Sequence, residues 1–127
     1  MSKSVIGRET VQHNESVADR PLLNELRDHL LARLPGRVRR IVLFGSRARG
    51  EFDESSDVDV LVVLEDCAPS LMDRARAARY EVMEQWGFQP LISLLLLSEQ
   101  EWQELSKHSA GLKHNIEYEG LAIWPTT

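Results

Sequence analysis

The chain of 127 residues carries a single cysteine, Cys67. That excludes an internal disulfide, and no Cys/His cluster has zinc spacing. A reducing, cytoplasmic setting is expected. Long apolar runs are also missing. Nothing approaches the roughly 18 residues of a membrane span, and residues 1–16 lack the apolar stretch of a secretory signal. No membrane contact is expected. Basic charge is in deficit, with 15 Lys and Arg against 20 Asp and Glu, a formal net charge of −5. A broad phosphate-backbone interface needs a basic face, so direct nucleic-acid binding is not expected. Within the deficit, Arg37, Arg39, Arg40, Arg47 and Arg49 crowd into one short window. That crowd reads equally well as a solvated face or as a local anion site.

What is present suits one compact α/β domain. Residues 1–16 are polar and aperiodic and read as a flexible N-terminal arm, leaving 17–127 as the single domain. In residues 21–34, Leu22, Leu23, Leu26, Leu30 and Leu34 share one helical face. Pro21 suits the first turn and Pro35-Gly36 the stop. Val38 to Phe44 reads as a strand, about 46–50 as a short helix and 51–56 as a loop. Val58 to Leu64, almost all aliphatic, reads as a central strand buried on both faces. Residues 70–86 read as a helix capped by Ser70, with Leu71, Ala75, Ala78, Val82 and Trp86 buried. Leu91 to Leu97 is taken as a strand. Ser98 and Glu101 form a capping box that opens a helix. A further short helix over 112–118, ended by Gly120, and a last strand from Leu121 to Trp124 complete the order.

The chemistry concentrates in residues 44–63, FGSRARGEFDESSDVDVLVV. Gly45 permits backbone shapes and close approaches closed to other residues. Ser46 falls at a helix start, where unpaired N–H groups seat phosphate. Asp57 and Asp59 lie on one side of a strand, roughly 6–7 Å apart. Two such carboxylates repel unless a cation lies between them, and Mg²⁺ takes one or two carboxylates with phosphate oxygens. Taken singly, each feature also fits an ordinary turn or a solvated strand end.

Gly45-Ser46, ten residues, then Asp57-x-Asp59 resembles the nucleotidyltransferase superfamily that includes DNA polymerase beta. VLFGSRARG (42–50), SSDVDVLVV (55–63) and NIEYEGLAIW (115–124) are most similar to its minimal nucleotidyltransferase domains, of the MntA-like antitoxin type. The resemblance spans about residues 20–124. It implies a small mixed β-sheet flanked by helices, with Gly45 and Ser46 on the phosphates of ATP and Asp57 and Asp59 as catalytic acids holding Mg²⁺. Arg47 and Arg49 would add charge-assisted contacts to phosphate. It further implies transfer of AMP to a hydroxyl, often tyrosine, on a HEPN-domain toxin within a toxin–antitoxin module.

One part of that pattern is missing. The family usually supplies a third carboxylate from a neighbouring strand, yet residues 91–97 contain no Asp or Glu. Ser93 is the polar residue there. Glu65 lies about 20 Å along from Asp59, and Asp53 and Glu54 could only reach the pair by folding back. Two readings therefore stay open. One is an active nucleotidyltransferase; the other is a weak or inactive nucleotide-binding domain that neutralises a partner by contact alone. Self-association also stays open. His13, His29, His108 and His114 read as surface or packing residues, and Trp86, Trp102 and Trp124 as core.

Overall fold

The computed structural model describes residues 8–125, with side chains from residue 18 onward. The first helix, α1 (Arg8–Arg33), buries Leu22, Leu23, Leu26 and Leu30 in one stripe. It starts before Pro21, which lies inside it rather than at its first turn. The reason is visible in Asp19: it is 6% exposed and ion-paired with Arg47, so the body of the domain holds this earlier stretch. The arm expected at residues 1–16 falls partly on α1, and its first seven residues lie outside the described ones.

Strand β1 (Val38–Phe44) runs into α2 (Ser46–Arg49), and β2 (Val58–Leu64) follows the loop. Then come α3 (Pro69–Gln85), β3 (Ile92–Ser98), α4 (Glu99–His108), α5 (Ala110–Glu119) and β4 (Leu121–Trp124). The sheet order is β3-β2-β1-β4. β1 pairs antiparallel with β2 and β4, while β2 pairs parallel with β3. The expected mixed sheet flanked by helices is present.

β2 is central and buried on both sides, as its unbroken aliphatic run predicts. Val58, Val60, Val62 and Leu64 pack with the leucines of α1 and with Leu71, Ala75, Ala78 and Val82 of α3. Leu61 and Val63 face the other way, onto Trp102 of α4 and Ile116 of α5. By strand alternation Asp59 belongs to this second, thinner layer, at the end where helix cover gives out.

Three local expectations are corrected. α3 opens at Pro69, not behind a Ser70 cap: proline lacks the N–H that a first turn leaves unpaired anyway, and Asp66 Oδ1 accepts the Ala68 N–H at 2.9 Å. Trp86 is not core. The helix ends before it, its indole N–H donates to Glu25 Oε2 at 3.1 Å, and it is 37% exposed. Gly120 does follow α5, but in extended backbone; its side-chain-free Cα is needed because a Cβ would lie 2.7 Å from Val42 Cγ1. The Ser98–Glu101 capping box is formed from both sides.

α1 and α3 are also tied at the surface. Glu81 accepts from Arg33 and lies 3.1 Å from His29 Nδ1. The Arg33 hydrogen bond, then that of His29, hold its carboxyl down at about 2, against an ordinary 4.5. A depressed acid favours the fold above its unfolded value and loses that contribution as pH falls. The tie should therefore be intact above about 4.5 and fade toward 2. Glu81→Gln should flatten this part of the acid-unfolding curve, and an unchanged curve would contradict the assignment.

Candidate active site

β1 delivers Phe44 opposite Asp59 in the antiparallel ladder. The next residue, Gly45, turns the chain at φ 78° and ψ −160° and becomes the N-cap of α2. Its carbonyl accepts from Ala48 and Arg49 at 3.1 and 3.3 Å. Ser46 is thus the first helical residue, and the N-cap, Gly45, has no side chain to cap α2. A Cβ on Gly45 would collide with Asp59 Oδ2 and lie 3.2 Å from Asp59 Cγ. Glycine is required twice here, for its left-handed φ and for the carboxylate against its Cα. Gly45→Ala should cost at least roughly 1–2 kcal/mol from the backbone alone, seen as a melting temperature lower by several degrees. Unaltered melting would mean that neither the left-handed φ nor the Asp59 contact constrains this position.

Asp57 and Asp59 lie near each other. Asp57 is exposed just ahead of β2, and Asp59 is half-buried within it. The Asp59 carboxyl is raised above its ordinary value, first by burial and then by the charge of Asp57, against an opposing pull from Arg49. Such an influence on Asp59 places Asp57 and Arg49 close to it. Arg49, the cation beside the pair, is itself engaged by Glu51 and Glu119, an arrangement that fits a divalent cation. Among the described residues no cluster of three or more His, Cys, Asp or Glu could hold a metal. Two carboxylates still match Mg²⁺, which completes its shell with water and phosphate oxygens.

On the other side of β2, Ser93 of β3 is the register partner of Asp59. It is exposed and brings no charge to the place beside the pair. Asp53 is not free to substitute. Its Oδ1 accepts from the Ser55 N–H at 2.8 Å and the Ser55 hydroxyl at 2.6 Å, bonds that lower its carboxyl. Glu54 instead lines a small cleft of about 190 Å³ with Asp57, Phe88, Gln89, Pro90 and Leu91. Glu54, Gln89 and Pro90 also line a larger one of about 480 Å³, with Arg47 and Phe52. Gln89 and Pro90 lie far from the motif in sequence. Only the parallel β2–β3 pairing brings them here.

The arginine crowd separates into individual partners. Arg37 and Arg39 bind Glu65, and Arg40 lies over the Trp102 ring at 5.5 Å. Arg49 stays at the corner, 2.9 Å from Glu51 and 3.6 Å from Glu119. Arg47, expected to reach phosphate, turns inward. It is 5% exposed, ion-paired with Asp19 at 3.0 Å and hydrogen-bonded to the Ser56 carbonyl at 3.0 Å. Nothing in the sequence pairs Asp19 with Arg47; the contact exists only once α1 packs on α2. Cys67 has a thiol pushed up to about 11, by burial and then by the charge of Glu101, as suits an unreactive side chain.

A family model for the nucleotidyltransferase domain matches residues 23–122. A candidate protein adenylyltransferase of Methanocaldococcus jannaschii is 33% identical over 75 residues, covering 56% of this chain and 75% of that protein. Among solved structures, a mutant of the toxin–antitoxin MntA-HpeT is similar with a TM-score of 0.50 and 20% identity, over 83% of this chain and 74% of that one. A candidate nucleotidyltransferase from Sulfolobus solfataricus has a TM-score of 0.50 and 18% identity, over 90% of this chain and 86% of that one. At such identities the two structures bear on the fold alone.

Proposed function

The chain belongs to the nucleotidyltransferase-domain family, and from that premise we propose that it moves AMP from ATP, with Mg²⁺, to a hydroxyl on a partner protein. The observation that carries the proposal is Asp59: a carboxylate held against Gly45, raised by burial and by Asp57, with Arg49 close by. Partial burial of the Asp59 carboxylate beside another acid costs free energy that packing does not return. Mg²⁺ between Asp57 and Asp59 would offset the charge that develops on the phosphates.

The chain's own residues set the direction of the reaction. Gly45 and the first N–H groups of α2 take the phosphate tail, with Ser46 and Arg49 beside it. The acceptor oxygen forms a bond to the α-phosphorus as the bond to the bridging oxygen breaks and pyrophosphate leaves. With the leaving group on the α2 side, in-line attack brings the acceptor from the opposite side. That is the β3 side, past Ser93 and the cleft of Asp57, Phe88 and Leu91. The hydroxyl proton leaves to water, as β3 places the uncharged Ser93 there. Arg47 holds structure and does not touch phosphate in this scheme.

The similarity to a candidate protein adenylyltransferase and the fold shared with MntA-HpeT support a protein acceptor. We take that acceptor to be a HEPN-domain toxin, with this acidic domain as its antitoxin in the cytoplasm. The uncharged Ser93 favours a second reading, in which nucleotide is held but transfer is slow and the partner is neutralised by contact.

The test is co-expression with the neighbouring-gene product and transfer of label from α-labelled ATP. Label should enter the partner with the wild type and not with Asp57→Ala. Equal labelling by both would remove the acid pair from the mechanism.

A further inference from the structure

Arg47 joins three parts of the molecule through one planar group. Its Nη1 donates to Asp19 Oδ1 of α1 at 3.0 Å. Its Nε donates to the carbonyl of Ser56, the residue before Asp57, at 3.0 Å, and its Nη2 reaches the Asp53 carbonyl at 3.5 Å. The Phe52 ring lies against the guanidinium at 4.6 Å. Asp57 is then pinned on both sides, because the Val58 N–H donates to the Leu91 carbonyl at 2.8 Å. On its N-terminal side, the other bonds of Ser56 are within its own turn, to Asp53.

We infer that the buried Asp19–Arg47 pair is a positioning device that sets the backbone of Asp57, and so couples α1 to the metal-holding end of β2. The inference rests on the metal role proposed for Asp57. Packing alone does not explain the pair. A buried ion pair is about as stabilising as, or less stabilising than, apolar residues of the same volume. This one also leaves Asp19 Oδ2 buried without a partner among the described residues, a cost that a site shaped by stability would shed. What apolar residues could not do is donate to the Ser56 and Asp53 carbonyls at fixed angles. Lysine could not do so either, because it lacks the rigid fork. Asp19 acts through Arg47 by fixing the plane of that fork.

The double substitution Asp19→Leu with Arg47→Met tests this, since it removes both charges together and keeps the volume. Arg47→Lys is the second variant. Amide exchange across residues 51–58 and the Mg²⁺ concentration that half-saturates ATP binding are read on both. In the double variant, melting should stay near wild type. Exchange at 51–58 should rise at least about tenfold while the β2 core is unchanged, and the Mg²⁺ requirement should rise about 10–100-fold, as for lost outer-shell partners. Arg47→Lys should move the same two readouts in the same direction.

A folded double variant with wild-type exchange and wild-type Mg²⁺ requirement would overturn the inference. So would faster exchange with no change in Mg²⁺ requirement, or a loss confined to metal-independent nucleotide binding, which would make Arg47 a phosphate contact after all. If the wild type itself shows no Mg²⁺-dependent ATP binding, the proposed function fails. The exchange result then decides by itself whether Arg47 sets the loop.

Discussion

Asp59→Asn is expected to lower nucleotidyl transfer by roughly a thousandfold, the scale on which removing one preorganised charge acts, while raising the melting temperature. The two effects have one cause. Burial and the charge of Asp57 raise the Asp59 carboxyl, so the fold disfavours its ionised form. A raised acid binds its proton more tightly in the folded state, and stability grows as pH falls through its folded value. Removing that charge near neutral pH therefore relieves the fold, even though it removes a ligand. Added Mg²⁺ should reverse the order, stabilising the wild type and leaving the variant unmoved. Thermal melts with and without Mg²⁺ check this. A variant that melts lower than wild type in metal-free buffer would show that Asp59 is structural.

The second large effect is on stability. Asp19→Ala should cost about 3–5 kcal/mol, because it strands a buried guanidinium instead of deleting a pair. That is a large share of the roughly 5–15 kcal/mol holding a domain of this kind together. Arg47 is 5% exposed and is also bonded to the Ser56 carbonyl, so its guanidinium stays buried when Asp19 is removed. Asp19→Leu combined with Arg47→Met should recover most of the loss. Denaturant unfolding of the two variants side by side is the measurement. A loss below about 1 kcal/mol for Asp19→Ala would place the pair with solvent-screened surface bridges.

Much of the architecture could be read from local pattern. The aliphatic run 58–64 announced a two-faced central strand, and Ser98 with Glu101 announced the start of α4; both are present. The misreadings arose where a residue's partner lies far away in the chain. Pro21 looked like a helix start because nothing local revealed that Asp19 is held by Arg47. Trp86 looked like core by periodicity, but α3 ends one residue before it. At the candidate site, strand alternation put Asp57 and Asp59 on one side, whereas the contact of Gly45 with Asp59 required the β1–β2 register. Arg47 could not be told from Arg49 by sequence, since both flank Ala48 in one basic run. Burial separates them, sending one inward to Asp19 and leaving the other at the corner near Asp59. The absence of a third acid from the neighbouring strand was visible in the composition of 91–97. That Ser93 is the residue opposite required the strand register.

Calorimetric titration of ATP into the wild type and into Asp57→Ala, each with and without Mg²⁺, tests the central claim most directly. ATP should bind the wild type with Mg²⁺ and far more weakly without it, and the variant should show little difference between the two conditions. ATP binding that is equally tight with and without metal in the wild type would contradict a cation held between Asp57 and Asp59.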